Sequence, residues 1–536
     1  MTGWDELKSN VIDKGNCCLC GTCIGVCPVQ KPLFSNEEIV EGNNTCISCR
    51  RCLSSCPGNG FDFRDENAAL FDTSVSEDHN LFGCYKKILK GCSNYSTIRE
   101  NASSGGVLTA MSCYLLEKKM IDYVVGVVTY GTECRVKALH SVDEVMQAAQ
   151  SKYIFVPVNS VLQHIRENEG RYLYIGLPCQ IEGLRKAAKT DPLIRERVFL
   201  CAGLFCGFNL SRQATDFLIK KSGIKKERIT KLEYRGKIED KTGFKLSSQE
   251  GKFFISKHGY TILNAVYSRE RCWKCYDYTA EFSDISFGDA WEEENGWSRI
   301  IIRTEKAGKI IEELAENKII TLKPSSAEDI LKTQKTIVNY KKRDIVVRRN
   351  LLKEFPDYHV EYQKINSIAW LKATMFLAAL KFGQTAICRK MLEVLPIRWL
   401  EKISEDMRSG KIAEILRYLF WGIMTTVVNL LCFWGFQQLG ADYRVSNLLT
   451  IVITKIAAFL FNKFFVFKTS VKTLAGVLKE ILLFMLTRGT AGLIDYFGLI
   501  LLVDYLHVDG LFGKFIMIII VTIMNYFFGK HIVYKK

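Results

Sequence analysis

The spacing of apolar residues along this chain changes character from one stretch to the next. From residue 67 to about 350, short apolar runs alternate with segments of helical period. Ile121–Val128 reads as a buried strand and Val142–Gln150 as a short helix. Tyr172–Ile175 reads as a second strand, followed by a turn over Gly176–Cys179 and a helix through Ala188. Val198–Leu200 is a third strand, and the alternation predicts an α/β domain. Between Ile365 and Met407, apolar patches such as Ile368–Leu371 and Met375–Leu380 are broken by Lys and Arg. These are too short and too charged to cross a bilayer, and fit either helices on a membrane surface or ordinary packing helices. From Tyr418 onward four runs are long enough to span a membrane: 417–437, 445–467, 480–503 and 511–533.

Ahead of residue 67 the pattern is one of cysteines. Cys17-x2-Cys20-x2-Cys23-x3-Cys27-Pro28 is repeated as Cys46-x2-Cys49-x2-Cys52-x3-Cys56-Pro57. This is the two-cluster bacterial ferredoxin run, in which the fourth Cys of each copy closes the other copy's cluster. One 4Fe–4S cluster is therefore expected on Cys17, Cys20, Cys23 and Cys56, the other on Cys46, Cys49, Cys52 and Cys27. Cys18 falls outside the spacing and reads as a bystander. A disulfide scaffold would need an oxidising compartment, against which the lack of a signal peptide argues. Zinc sites use paired CxxC knuckles rather than two such runs.

Charge adds to the membrane picture. The net charge is +16, and residues 341–411 hold 15 Lys and Arg against 8 Asp and Glu. Ahead of an apolar region this reads as a membrane-proximal basic belt, and no nucleic-acid motif accompanies it. Lys468, Lys472 and Lys479 join the second and third spans, and Lys535 and Lys536 end the chain. The opposite loops hold only Arg444, with Lys514 just inside the fourth span. Both termini and the redox domains are thus expected in the cytoplasm. The spans repeat, Phe461–Phe467 recurring as Phe528–Tyr534, so two-span units of like topology are expected. Lys455, Arg488 and Asp495 lie inside spans, where charge is costly. Arg488 and Asp495 share a helix face, and Lys455 is expected to pair with Asp495 or to snorkel.

Three features of the α/β region carry candidate chemistry. Ala102-Ser-Ser-Gly-Gly106 precedes a helical run over Val107–Leu116, and reads as an anion cradle suited to a pyrophosphate or as a capped turn. Ser151-Lys152-Tyr153 offers a cation and an aromatic ring. Cys179, Cys206, Cys272 and Cys275 form a further set in which Cys272-x2-Cys275 has metal-ligand spacing, against the alternative of buried core thiols. Cys113, Cys134 and Cys201 read as core residues, and Cys84 and Cys92 have no assignment.

Together with Arg99-x3-Ser103-Ser-Gly-Gly-Val107, Gly176-Leu-Pro-Cys-Gln180, Phe205-Cys-Gly207 and Asp284-Ile-Ser-Phe-Gly-Asp289, these residues resemble the β-subunit family of coenzyme F420 hydrogenase/dehydrogenase over roughly residues 1–350. The resemblance implies FAD held by Ser103, Ser104, Gly105, Gly106 and Lys152. It also implies a third 4Fe–4S cluster, ligated by Cys179, Cys206, Cys272 and Cys275. No catalytic residue is assigned, and coenzyme F420 is a substrate of some members only. Residues 412–536 resemble the GtrA-like family through Gly422-x3-Thr426-x2-Asn429 and Phe459-x2-Asn462-Lys-x2-Val-Phe467. That resemblance implies handling of polyprenyl-phosphate-linked sugars in cell-surface polysaccharide synthesis.

The expected fold is an α/β iron–sulfur flavoprotein with an N-terminal ferredoxin-like domain and a C-terminal all-α four-helix transmembrane domain. Its parts are 1–66 (two clusters), 67–350 (FAD and 4Fe–4S), 351–411 (basic linker) and 412–536 (four spans). The expected function is a membrane-anchored oxidoreductase passing electrons between clusters and FAD, to or from an organic hydride carrier or redox partner protein. The alternative is translocation of lipid-linked sugars with a regulatory redox module.

Overall fold

The N-terminal cysteine stretch carries little regular structure. β1 (Pro32–Ser35) and β2 (Glu38–Glu41) pair antiparallel, and single helical turns at Thr22–Gly25 and Arg51–Ser54 carry Cys23 and Cys52. In chain order there follow β3 (Lys87–Ser93), α1 (Val107–Glu117), β4 (Tyr123–Tyr130), β5 (Glu133–Leu139) and α2 (Val142–Gln147). Next come β6 (Tyr172–Gly176), α3 (Pro178–Thr190), β7 (Val198–Leu204), and the hairpin strands β8 (Ile229–Ile238), β9 (Lys241–Ser248) and β10 (Gly251–Ser256). The run closes with β11 (Ile285–Ala290), β12 (Trp297–Ile302), β13 (Ile320–Pro324) and α4 (Ala327–Lys342). The computed structural model describes residues 1–71, 79–239, 241–293, 296–469, 473–508 and 510–534. The chain divides into two compact units, Met1–Lys402 and Ile403–Lys536.

One eight-stranded mixed sheet organises the first unit, in the order β13-β3-β12-β11-β7-β6-β4-β5. Its centre, β11, β7, β6 and β4, is parallel, and the flanking pairs are antiparallel. Successive residues of β6 feed opposite cores: Tyr172 and Tyr174 join one apolar cluster, Leu173 the other. A strand covered on both faces needs an unbroken apolar run, which is why Tyr172–Ile175 reads as a strand. α2 ends at Gln147 rather than Gln150 because the next residues turn to meet the Ser103 loop, Ser151 N donating to Ser103 Oγ at 2.7 Å.

Residues 367–408 are helical: α5 (Ser367–Gly383), α6 (Ala386–Val394) and α7 (Ile397–Arg408). Leu377 and Leu380 of α5 are buried in one cluster with Trp273, Tyr340 and Leu352, and Leu392 and Leu400 join the main core. The first unit therefore extends to Lys402.

The second unit is built from four helices, α8 (Lys411–Gln438), α9 (Tyr443–Phe461), α10 (Leu474–Ile500) and α11 (Gly510–Phe528). Among the described residues two segments, Arg417–Gln438 and Leu449–Val466, are long and apolar enough to cross a membrane. Matching π-helical turns, Asn462–Val466 and Gly529–Val533, follow α9 and α11. Lys463 of the first turn pairs with Glu480 at 2.5 Å, and Lys530 of the second with Glu414 at 2.8 Å. Each repeat's lysine thus reaches the other repeat's glutamate, and Phe467 stacks on Tyr534 at 5.1 Å. The pairing expected of Lys455 with Asp495 lies outside the described residues, because the Asp495 side chain is not among them. The same holds for the side chains of Arg444, Lys472, Lys514, Lys535 and Lys536.

Candidate functional site

The two cysteine loops follow one backbone path. Leu19 and Gly21 in the first, and Ser48 and Arg50 in the second, all have positive φ, between 55° and 84°. Left-handed residues spaced in this way bend the backbone into a concavity of N–H groups suited to anions and Fe–S clusters. Gly21 has a second reason to be glycine, since a Cβ there would stand 2.6 Å from Pro157 O.

Within this stretch the thiols lie close enough to act on one another. Cys23 feels Cys17, Cys56, Cys52 and Cys18, Cys20 feels Cys18 and Cys56, and Cys52 feels Cys27, Cys46 and Cys49. Cys56 thus stands near thiols of the first run, and Cys27 near Cys52 of the second. Burial, then neighbouring thiols, push Cys17 up to about 12, and burial leads in pushing Cys52 to about 12 and Cys56 to about 11. Thiols crowded so closely ionise only with a compensating cation, and iron is one. Among the described residues no three such side chains converge on a single ion. A cubane held at its corners does not require that convergence.

Buried polar contacts fix the loops to α3 and to the turns around Asn159 and Arg271. Asn159 N donates to Cys20 O at 2.7 Å, and Asn159 Nδ2 to Thr22 Oγ1 and Gln180 O at 2.7 and 2.8 Å. Arg271 Nε donates to Asn16 O at 2.9 Å and Lys186 Nζ to Cys56 O at 2.8 Å.

The sheet itself brings the later cysteines together. Cys179 opens α3 just past the carboxyl end of β6, and Cys206 lies just past that of β7, the parallel-strand end where α/β sites form. Cys272 and Cys275 come from the turn Glu270–Trp273 and the residues after it. Cys179, Cys206, Cys272 and Cys275 line one pocket, together with Cys18, Arg271 and Lys341. Cys18 lies beside Cys20 and lines the pocket with Cys179, so it stands between the first loop and the later set. Lys341 Nζ donates to Cys272 O at 3.2 Å, and both Lys341 and Arg271 are almost wholly buried. Burial raises the Cys206 and Cys275 thiols, and Lys341 opposes it at both, with Arg271 adding to this at Cys275. The cysteine spacing reveals neither cation nor the place of Cys18; the only local sign is Arg271 standing next to Cys272.

At the Ser103–Gly106 loop, Gly106 is the left-handed residue capping α1, with φ of 76°. Gly105 is wedged against the sheet, where a Cβ would stand 2.4 Å from Gly91 O and 2.7 Å from Ser298 N. Ser298 Oγ meets Ser104 Oγ at 2.9 Å and accepts from Gly105 N at 3.0 Å. Lys152 braces the turn just past α2, donating to the carbonyls of Ala148, Ala149 and Gln150 at 2.5, 2.6 and 3.0 Å, while burial pulls it down to about 8. The cation that reaches the loop is Arg235 of β8, donating to Ser103 O at 2.5 Å, to Tyr153 Oη at 3.2 Å and to Asp289 Oδ2 at 3.0 Å. Lys257 and Trp291 also bind Asp289, at 3.1 and 2.9 Å. Burial alone would raise the Asp289 carboxyl, but Arg235 and Lys257 hold it well below the usual carboxylate range. Lys237 donates to Arg99 O at 2.7 Å, and burial, then Arg99 and Arg235, lower its pKa. Positive charge therefore gathers at the amino end of an 11-residue helix, an arrangement suited to a diphosphate. Asp289 closes a motif visible in the sequence; Arg235 has no sequence signature.

The first unit thus joins a mixed α/β sheet to a set of cysteines at its parallel-strand ends, and a helical unit follows it. Residues 88–163 and 169–328 match the N-terminal and C-terminal parts of the coenzyme F420 hydrogenase/dehydrogenase beta subunit, and residues 417–534 match the GtrA/DPMS transmembrane domain. The chain belongs to the coenzyme F420 hydrogenase/dehydrogenase beta-subunit family, fused to a GtrA-like domain. It is 30% identical to the coenzyme F420 hydrogenase subunit beta of Methanococcus voltae over 256 residues, 45% of this chain and 85% of that one. It is 26% identical to the coenzyme F420-dependent sulfite reductase of Methanocaldococcus jannaschii over 368 residues, 64% of this chain, and spans about half (52%) of that protein. Its C-terminal part is 36% identical to the cell wall teichoic acid glycosylation protein GtcA of Listeria monocytogenes over 128 residues, 24% of this chain and 88% of that one.

Proposed function

We propose that this chain is a membrane-anchored iron–sulfur flavoprotein that passes electrons between 4Fe–4S clusters and FAD, to or from an organic hydride carrier. The observation that carries the reading is the meeting of Cys179, Cys206, Cys272 and Cys275 on one pocket, beside two cysteine loops with matching left-handed residues. Cys17, Cys20, Cys23 and Cys56 hold one cluster, and Cys27, Cys46, Cys49 and Cys52 the second. Cys179, Cys206, Cys272 and Cys275 hold the third, with Arg271 and Lys341 balancing its charge. Ser103, Ser104, Gly105 and Gly106 receive the diphosphate of FAD, Arg235 and Lys237 neutralise it, and Lys152 braces the loop from behind. When bound, FAD supplies exchange between hydride and single-electron chemistry. The names of the Methanococcus and Methanocaldococcus relatives make reduced coenzyme F420 the first carrier to test. In this reading all four helices α8–α11 cross the membrane, with both termini and the redox unit cytoplasmic.

Anaerobically purified protein should contain about 12 iron atoms and one FAD per chain, and reduced coenzyme F420 should bleach the flavin. About 8 irons and no flavin would overturn the reading. A second reading, translocation of polyprenyl-phosphate-linked sugars with the redox unit regulatory, is favoured by the teichoic acid relative. Mass spectrometry of lipid-linked glycans separates the two: a variant without flavin keeps its glycan phenotype only under the second.

A further inference from the structure

Helix α5 is apolar on both of its long faces. Ala373, Leu377, Leu380 and Gly383 are buried against the first unit. On the opposite side Ile368, Leu371, Met375 and Phe382 are exposed, Ile368 at 67%. A helix that is apolar all round is normally covered all round. On α6 the same imbalance recurs at helical spacing, with Ile387, Met391 and Val394 exposed, Val394 at 84%, while Leu392 packs inward. Trp399 of α7 is half exposed. Scattered apolar residues on a surface mean little, but two adjoining helices with continuous bare stripes mark an interaction surface.

Charge and chain continuity choose the occupant. Residues 364–402 carry seven Lys and Arg against two Glu, and Lys372, Lys381, Lys390 and Lys402 are exposed along these helices. A basic rim around an apolar stripe fits an anionic lipid surface, where such helices lie in the headgroup plane. The apolar span Arg417–Gln438 follows shortly after Lys402, so the covalent chain keeps these helices near any bilayer it enters.

We propose that α5 and α6 lie in the interface of an anionic bilayer, their outer stripes against acyl chains and their inner faces against the redox unit. This rests on the second unit being membrane-inserted. It has a consequence for the redox chemistry. Trp273, between Cys272 and Cys275, shares one buried cluster with Leu377 and Leu380 of α5. The third thiol set then stands about one helix diameter, ~10 Å, from lipid, within reach of a membrane-dissolved redox partner.

The test uses the full chain in vesicles of phosphatidylcholine and phosphatidylglycerol containing a diazirine-bearing lipid, with adducts mapped by mass spectrometry after illumination. Adducts are expected on peptides of α5 and α6 as well as on residues from 417 onward. The double variant Met375→Glu, Met391→Glu should lose the α5 and α6 adducts roughly tenfold or more while keeping its iron and its later adducts. Replacing phosphatidylglycerol by phosphatidylcholine should lower α5 and α6 labelling severalfold. Adducts confined to residues from 417 onward would overturn the proposal and leave the membrane domain standing. Adducts nowhere would overturn both. Cross-links between copies through α6 without lipid adducts would assign the face to a second copy, and so overturn it too.

Discussion

Residues 17–56 hold their thiols in two loops with one backbone path, whereas Cys179, Cys206, Cys272 and Cys275 come from two strand ends and a separate turn. In the loops, left-handed residues at Leu19, Gly21, Ser48 and Arg50 shape the concavity locally. In the later set only Cys272 and Cys275 share a local turn. The parallel order of β6 and β7 supplies two thiols, and the packing of α4, which carries Lys341, supplies a cation. The contrast teaches that a site written into a loop depends on few residues, while a site written into a sheet inherits every contact that sets the sheet.

The largest expected effect tests that contrast directly. Cys272→Ser with Cys275→Ser should remove about 4 of about 12 irons and leave the loop clusters, as iron analysis and electron paramagnetic resonance would read. Loss of all the iron would mean that the two regions are not separable. The next effect concerns the charged cluster behind the Ser103 loop. Asp289→Asn leaves Arg235 buried without its carboxylate, and breaking such a pair costs about 3–5 kcal/mol. Because the native carboxyl is held low, its contribution is present above the usual carboxylate pKa, about 4, and is lost as pH falls through the native value. The gap in melting temperature between wild type and variant should therefore be wide at pH 7 and shrink below about pH 4.

A narrower effect is expected at Gly105. Its Cβ would collide with the backbone of Gly91 and Ser298, so Gly105→Val should displace the loop and lower flavin content, measured by absorbance, while iron stays constant. Unchanged flavin would reduce this stretch to a capped turn. The smallest is Ser48→Gly, which relieves a left-handed non-glycine residue worth about 1 kcal/mol. Iron loss to a chelator should slow slightly from the second loop alone.

Much of this was legible because it is local. The strand Tyr172–Ile175 reads from an unbroken apolar run since both its faces are buried, and the helix after Gly106 reads from its period and its glycines. The end of α2 was not legible. Lys152 looks like a ligand in sequence, yet its ammonium lies beside the carbonyls of residues 148–150 and caps them. The helices over 367–402 were ambiguous because α5 is apolar on two faces, so its pattern cannot say which face meets protein.

The sequence alone determined the cysteine loops, the succession of strands and helices, the basic belt and the repeated apolar helices. Each rests on spacing within a few residues, and spacing survives without a fold. Tertiary structure decided what spacing cannot carry. Arg235, 132 residues from Ser103, reaches the loop because β8 is folded over it. Cys18 comes beside Cys179 because Asn159 ties the first loop to α3, which carries Cys179. Lys463 and Lys530 exchange glutamates because the two repeats pack against each other. Contacts of this kind follow from how whole elements fill a common core, where close packing allows few arrangements and chain distance counts for little.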